Sequence, residues 1–114
     1  MKITDIKELI ICGTPFDVEF LDKDAILFND DYTRVCGLVD YDKCKISIIH
    51  REKKEETLKV LIHEILHTIS ESHCLNLNEK LVRTLSTELT AIITNNNNKI
   101  LQTNKLTKIG LAKK

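Results

Sequence analysis

The sequence lacks an excess of charge of either sign, since 17 Lys and Arg residues balance 17 Asp and Glu residues. A protein that binds nucleic acid or an anionic membrane through its overall charge carries a basic surplus, so the composition predicts neither partner. The balance is uneven along the chain. Residues 1–94 hold 12 basic and 17 acidic side chains, whereas residues 95–114 hold five Lys and no acid. At this length we predict a single domain over 1–94, followed by a basic, low-complexity tail over 95–114.

Long apolar runs and closely paired cysteines are also missing. No stretch approaches the ~18 apolar residues of a membrane span, and the charged residues 1–8 are unlike a secretory signal. Cys12, Cys36, Cys44 and Cys74 contain no Cys-x-x-Cys pair, which favours free thiols in a reducing compartment. These absences predict a soluble, cytoplasmic protein.

The feature that stands out is the motif His63-Glu-Ile-Leu-His67, which lies in an apolar-rich run. On a helix, residues four apart lie on one face, so His63 and His67 can present two imidazole nitrogens to one metal ion. Neutral imidazoles bind Zn²⁺, and a catalytic zinc keeps one position for a water whose pKa falls towards about 7. Glu64 would then act as the general base. The motif predicts Zn²⁺ as cofactor and Glu64 as the catalytic residue.

Two His do not complete a zinc site, so a third ligand must follow, and three residues compete for this role. His73 has the spacing of the extended pattern H-E-x-x-H-x-x-G-x-x-H, but Ser70 replaces its helix-breaking Gly. Glu79 opens a second amphipathic helix that a short loop would fold back across the first. Residues 76–79 also fit a capping box in which Glu79 only satisfies a helix end. Glu88 lies about 180° around that helix from Glu79. We favour Glu79.

The first half of the chain has the pattern of β-strands. Apolar and polar residues alternate over 16–20, as in a half-buried strand that follows an earlier β-prone segment. Residues 35–49 are typical of an antiparallel hairpin. With its tip at 41–42, Val39 would lie opposite Cys44. We expect a small antiparallel or mixed sheet made of the N-terminal strands and this hairpin.

The second half has the pattern of two amphipathic helices. The apolar stripe predicted for the first helix, on the side opposite the His pair, comprises Leu58, Leu61, Ile62, Ile65, Leu66 and Ile69. The apolar face predicted for the second comprises Leu81, Val82, Leu85, Leu89, Ile92 and Ile93. A sheet packed on the motif-bearing helix, with a second helix beside it, gives an α+β fold.

The order of hairpin, Glu-rich helix start, HEILH, short loop and second helix resembles the small gluzincin-type metallopeptidase domains of bacteria and phages. It is similar to the ImmA/IrrE group over residues 35–94, and residues 37–42 with the motif helix resemble compact phage-encoded members. In that group the third ligand is a Glu that opens the pattern E-x-x-A-x-x-F-A-x-x-L. Residues 79–89 follow this pattern, with Val82 and Ser86 at the two Ala positions. The resemblance implies a zincin-like fold, with Glu79 joining the two His of HEILH as metal ligands.

Three functions compete on this basis. The first is a zinc metallopeptidase that cleaves a peptide or protein substrate bound along an edge strand, which we expect at 44–49. The second is a zinc-stabilised binding or regulatory module of phage or bacterial origin, with little or no turnover. The third is a structural protein in which HEILH is incidental.

Overall fold

The computed structural model describes residues 2–96, which form an α+β fold with a mixed four-stranded sheet, a two-stranded ribbon and two α-helices. This confirms the predicted α+β class with a small mixed sheet and two helices. Residues 97–114, almost all of the predicted basic tail, lie outside the described residues. The strands are β1 (Glu8–Ile11), β2 (Thr14–Leu21), β3 (Leu27–Phe28), β4 (Arg34–Val35), β5 (Gly37–Asp40) and β6 (Lys45–Ile49). The helices are α1 (Lys54–Ser72) and α2 (Glu79–Asn95), and a 3₁₀ turn (Ile3–Asp5) precedes β1.

The predicted N-terminal strands form an antiparallel hairpin, β1 and β2. Its two-residue turn is Cys12-Gly13, and both residues have positive φ angles, 51° and 79°. Tight hairpin turns favour this conformation because its twist matches that of the flanking strands. Phe16 and Val18 on β2 are buried, which confirms the alternation read from the sequence. On its other side β2 pairs in parallel with β6.

The second predicted hairpin forms from β5 and β6, but the expected register is wrong. Val39 pairs with Ile46 rather than with Cys44, so the loop has four residues, 41–44, instead of two. The carboxylate of Asp40 accepts a hydrogen bond from the Lys43 amide (3.1 Å), and Cys44 ends the loop with a φ of 50°. The side chain of Asp40 therefore favours a wider turn, a local choice that the hydrophobic pattern does not reveal.

The sheet order is β1-β2-β6-β5, so β6 lies inside the sheet. The expectation that residues 44–49 form an edge strand is wrong, because β2 and β5 occupy both edges of β6. The outer strands are β1 and β5, and β5 lies beside α1.

Helix α1 packs against β5 and β6 and contributes to the core below it. The buried core cluster comprises Ile11, Phe16, Val18, Ile46, Ile48 and Leu61. Two Thr residues of α1 are also fully buried. The Thr57 hydroxyl accepts a hydrogen bond from the Arg51 amide (2.9 Å), and the Thr68 hydroxyl donates to the Glu64 carbonyl (2.8 Å). Because these polar groups are satisfied, their burial is tolerated.

Helix α2 packs on α1 with a face that shares only Val82 with the predicted one among its buried residues. Its buried residues are Val82, Ser86 and Thr90, spaced four apart. Four members of the predicted apolar face are instead between 37% and 52% exposed: Leu81, Leu85, Leu89 and Ile92. Small side chains let two helices approach closely, and the Thr90 hydroxyl is satisfied by the Ser86 carbonyl (2.6 Å). The helix packs through Val82 and the smaller Ser86 and Thr90, and the first two lie at the Ala positions of the pattern that residues 79–89 resemble.

Neither α1 nor α2, the two α-helices of residues 2–96, combines the length and the apolar character that a membrane span needs. All four cysteines are free thiols, as expected.

Candidate metal centre

The centre is assembled where the chain reverses between α1 and α2. The reversal contains no Gly; Cys74 and Asn76 adopt positive φ angles of 52° and 55°. Ser70 anchors it, because its carbonyl accepts the Leu75 amide (2.9 Å) and its hydroxyl accepts the Leu77 amide (3.0 Å). Ser70, which occupies the Gly position of the extended motif, thus stabilises the loop through these hydrogen bonds. Helix α1 continues past Ser70 to Ser72.

Helix α2 begins directly after this loop. Asn78 is its N-cap, and the Asn78 side chain accepts a hydrogen bond from the Leu81 amide (2.8 Å). A capping box over 76–79 is therefore absent, since the cap falls two residues later than that interpretation requires. Glu79 is the first helical residue, and its carboxylate is free to contact α1.

Three side chains converge across the two helices. The Nε2 atom of His63 lies 2.9 Å from Oε1 of Glu79, and Nε2 of His67 lies 3.0 Å from Oε2 of the same carboxylate. The two Nε2 atoms are 3.1 Å apart. Among the described residues, one group of three or more His, Cys, Asp or Glu side chains is placed to hold a metal ion. It consists of His63, His67 and Glu79.

Hydrogen bonds alone do not account well for three contacts of 2.9–3.1 Å among these side chains. A neutral imidazole offers one N–H donor and one acceptor, so two neutral rings that both donate from Nε2 to Glu79 would bring two N–H groups together at 3.1 Å. A cation among the three atoms removes this conflict. Ligand atoms of a tetrahedral zinc site with bonds of about 2.0–2.1 Å are roughly 3.3 Å apart, close to the separations found here. The donor set and its spacing fit a metal ion.

The electrostatics of His63 agree with a ligand role. Partial burial lowers the pKa of His63 below its usual value, although the neighbouring Glu79 carboxylate acts in the opposite direction. His63 is therefore neutral at pH 7, which is the form that binds a metal. Its contact with Glu79 is then a hydrogen bond rather than an ion pair.

Glu64 lies against the sheet and is 8% exposed. Burial raises its pKa to about 7, and the negative charge of Glu79 adds to this effect. Its neighbour is Gly37 at the start of β5. A Cβ atom at Gly37 would lie 2.9 Å from Cγ and 3.0 Å from Oε2 of Glu64. A residue without a side chain is required here, so that strand and carboxylate can pack this closely.

The other two candidate ligands are not brought to the His pair. His73 is the C-cap of α1 and is exposed. Glu88 is exposed on α2, nine residues after Glu79 and so about 13 Å further along the axis. The second helix folds back as expected, and it places Glu79 rather than Glu88 at the site.

The three residues and Glu64 lie in a cleft of about 800 Å³ between α1, α2 and the segment around β4 and β5. Arg83 lies beside Glu79, with its Nε atom 3.4 Å from Oε1 of that residue. Sequence reasoning missed Arg34, Arg51 and Lys59, which also line the cleft. These residues are scattered in sequence, and no local pattern connects them.

Tyr41 lies at the far end of the site, next to His67 and Glu71 in an adjoining pocket. Partial burial raises its pKa, so the hydroxyl stays protonated at neutral pH. His50 and His73 line neither the cleft nor this adjoining pocket. Tyr41 and Arg83 thus lie beside the group formed by His63, His67 and Glu79.

Comparison of the chain with protein-family models, with curated proteins and with solved structures finds no match.

Proposed function

We propose that the protein is a zinc-dependent peptidase with a zincin-like fold, in which His63, His67 and Glu79 hold the metal ion and Glu64 is the general base. The observation that carries this proposal is the convergence of one carboxylate and two imidazoles at 2.9–3.1 Å, with Glu64 beside them in an open cleft. Two imidazoles and one carboxylate are a ligand set typical of catalytic rather than structural zinc.

A bound zinc ion would supply Lewis acidity and lower the pKa of a water molecule for attack on a carbonyl carbon. The residues of the chain do the remaining work. Glu64 takes the proton released in that attack and gives it to the leaving amine. Gly37 and α1 hold the Glu64 side chain in place, and Arg83 orients the Glu79 carboxylate through its contact at 3.4 Å.

The backbone of β5 offers a place for the substrate. In this antiparallel pair the Ile49 amide donates to the Cys36 carbonyl, so residues 36, 38 and 40 direct their backbone groups towards β6. Gly37 and Val39 therefore direct theirs to the outer edge, which no other strand of residues 2–96 pairs with. An extended peptide adding to this edge would pass directly along the metal ligands.

The proposal is tested by comparing wild type with Glu64→Gln. We expect wild type to bind one zinc ion per chain and to cleave members of a peptide library. The variant should bind zinc as well and lose at least ~100-fold in cleavage rate, because it keeps the ligands and lacks the base. Undiminished cleavage by the variant, or absence of stoichiometric zinc in wild type, would contradict the proposal.

The packing of α2 favours a second candidate, a zinc-stabilised binding module. α2 makes its main contacts with α1, and Glu79 joins the two helices through the His pair. A metal ion there would hold α2 in place without any chemistry. If wild type binds zinc and is stabilised by it but cleaves no library member, this second function replaces the first.

A further inference from the structure

The cleft of the metal centre is bordered by cations, although the domain around it is acidic. Residues 1–94 carry 17 acidic and 12 basic side chains. Four of the basic ones line the cleft: Arg34, Arg51, Lys59 and Arg83. Its acidic lining residues are Glu56, Glu64 and Glu79. Glu79 contacts the His pair and Glu64 is buried, so Glu56 is the one acid left to oppose the cations.

Three of these cations lie on one side of the His pair. Lys59 is one helical turn before His63 on α1, a distance of about 6 Å along the axis. Arg51 donates from Nη1 to the Sγ atom of Cys36 (3.3 Å), which places its guanidinium beside the residue that precedes β5. Arg34 lies in β4, two residues before Cys36. Arg51 is 3.9 Å from Glu56, too long for a strong pair, so its charge remains available.

The opposite side of the His pair has a different charge. The pocket that adjoins His67 is lined by Tyr41 and Glu71 with Ser70, Cys74, Asn76 and Leu77, and it contains no Lys or Arg. A chain bound along β5 would therefore meet positive charge on one side of the metal ligands and a negative carboxylate on the other.

We propose that the cleft selects peptide segments with acidic side chains on one side of the scissile bond, the side that meets Lys59, Arg51 and Arg34. The part of this inference that concerns cleavage rests on the proposed function, whereas the part that concerns peptide binding does not. A peptide is favoured over a nucleic acid, because the outer edge of β5 offers amide and carbonyl groups that match a peptide backbone. A cleft of about 800 Å³ also suits a few residues of one extended chain.

The test measures binding by fluorescence anisotropy, using Glu64→Gln so that no peptide is consumed. Three labelled peptides are compared: one with Glu residues before a central Ala-Leu pair, one with the same Glu residues after it, and one with Gln throughout. We expect one Glu peptide to bind about tenfold more tightly than the other two, and we expect this preference to weaken with added salt. Equal binding of the three peptides would overturn the inference.

Matched variants locate the preference. Arg51→Gln with Lys59→Gln should abolish it, because these two cations lie in the cleft. The control, Lys23→Gln with Lys54→Gln, removes the same charge from exposed residues that do not line the cleft. If both double variants lose the preference equally, it arises from net charge and the assignment to the cleft is wrong. A single-stranded oligonucleotide that binds more tightly than either Glu peptide would show that the cations serve a nucleic acid instead.

This inference can fail separately from the proposed function. Each measurement is repeated without zinc, so the charge preference is read whether or not the metal binds. Cleavage of library peptides by wild type without regard to acidic residues would overturn the inference and leave the peptidase intact. A charge preference in binding together with no cleavage would overturn the peptidase and leave the inference intact.

Discussion

Glu79 links two helices through a single carboxylate, one oxygen facing each imidazole of the His pair. Its side chain is about half exposed, so it approaches the His pair from the solvent side of the cleft. Glu64, one residue after His63, is buried instead. The same type of side chain thus has two environments within one site, and these environments suit two different roles.

The exposed position of Glu79 allows its removal without harm to the core. We predict that Glu79→Ala lowers zinc affinity by at least ~100-fold, because loss of a direct ligand should exceed the loss found for outer partners of ligands. Competition with a chromophoric chelator measures this affinity. Glu88→Ala and His73→Ala are the controls and should bind zinc as wild type does. A larger loss in either control would identify that residue as the third ligand.

The burial of Glu64 predicts a pH-dependent stability of the metal-free protein. Its pKa is raised from 4.5 in the unfolded chain to about 7 in the folded one, so between these values the unfolded state binds fewer protons. Stability therefore falls as pH rises through this window. Glu64→Gln lacks this loss, and it should become more stable than wild type by up to ~3 kcal/mol above pH 7.

Urea unfolding in the presence of a chelator at several pH values measures this difference. It should vanish below pH 4.5, where the carboxyl group is protonated in both states. Glu88→Gln, which alters an exposed residue, should show no such trend. A constant gap between wild type and Glu64→Gln at all pH values would contradict the prediction.

At the level of elements, the site depends on how closely β5 approaches α1. A Cβ atom at Gly37 would lie 2.8 Å from Cγ1 of Val60 as well as close to Glu64, so the strand and helix leave no room for a methyl group. This contact joins the proposed substrate edge to the proposed general base. The position of Glu64 is therefore set by a strand that is distant from it in sequence.

We predict that Gly37→Ala costs about 1–3 kcal/mol of stability, as overpacking in a dense region does. It should also displace Glu64 and reduce peptide cleavage while leaving zinc affinity nearly unchanged, since the atoms nearest to the added methyl group belong to Val60 and Glu64. Adding Val60→Ala removes one of the clashes and should restore part of the stability but not the activity. Thermal unfolding and cleavage rates measure both effects. A fully active and stable Gly37→Ala variant would show that the close approach is not required.

At the scale of the whole molecule, the candidate metal centre joins α1, which packs on the sheet, to α2, which has fewer packing contacts with the rest of the domain. Helix α1 contributes to the core against the sheet, whereas α2 packs mainly on α1 and leaves four large apolar side chains exposed. A metal ion shared between the helices would stabilise the second part more than the first.

We predict that removing zinc lowers the unfolding free energy by about 3–4 kcal/mol under conditions where free zinc exceeds the dissociation constant by 100-fold to 1,000-fold. The loss should be local at first. Hydrogen exchange in the presence of a chelator should rise in the 73–78 loop and α2 before it rises in the four-stranded sheet. Uniform exchange throughout residues 2–96, or no change, would argue against a metal that joins the two helices.

The sequence by itself determined the local features. Two His four positions apart on a helix share one face, so HEILH predicted the imidazole pair. The alternation over 16–20 predicted the half-buried strand. The similarity of residues 79–89 to a family pattern pointed to Glu79. These inferences depend on the geometry of one element at a time, which a sequence pattern encodes directly.

Only the tertiary structure decided which elements meet. Parallel pairing of β2 with β6 makes β5, not β6, the edge strand. Close helix packing buries Ser86 and Thr90 beside Val82 and leaves the leucines of α2 outside the contact. Convergence of Glu79 with the His pair depends on a loop closed by Ser70. Each outcome arises from contacts between residues far apart in the chain, whose energies no local pattern contains.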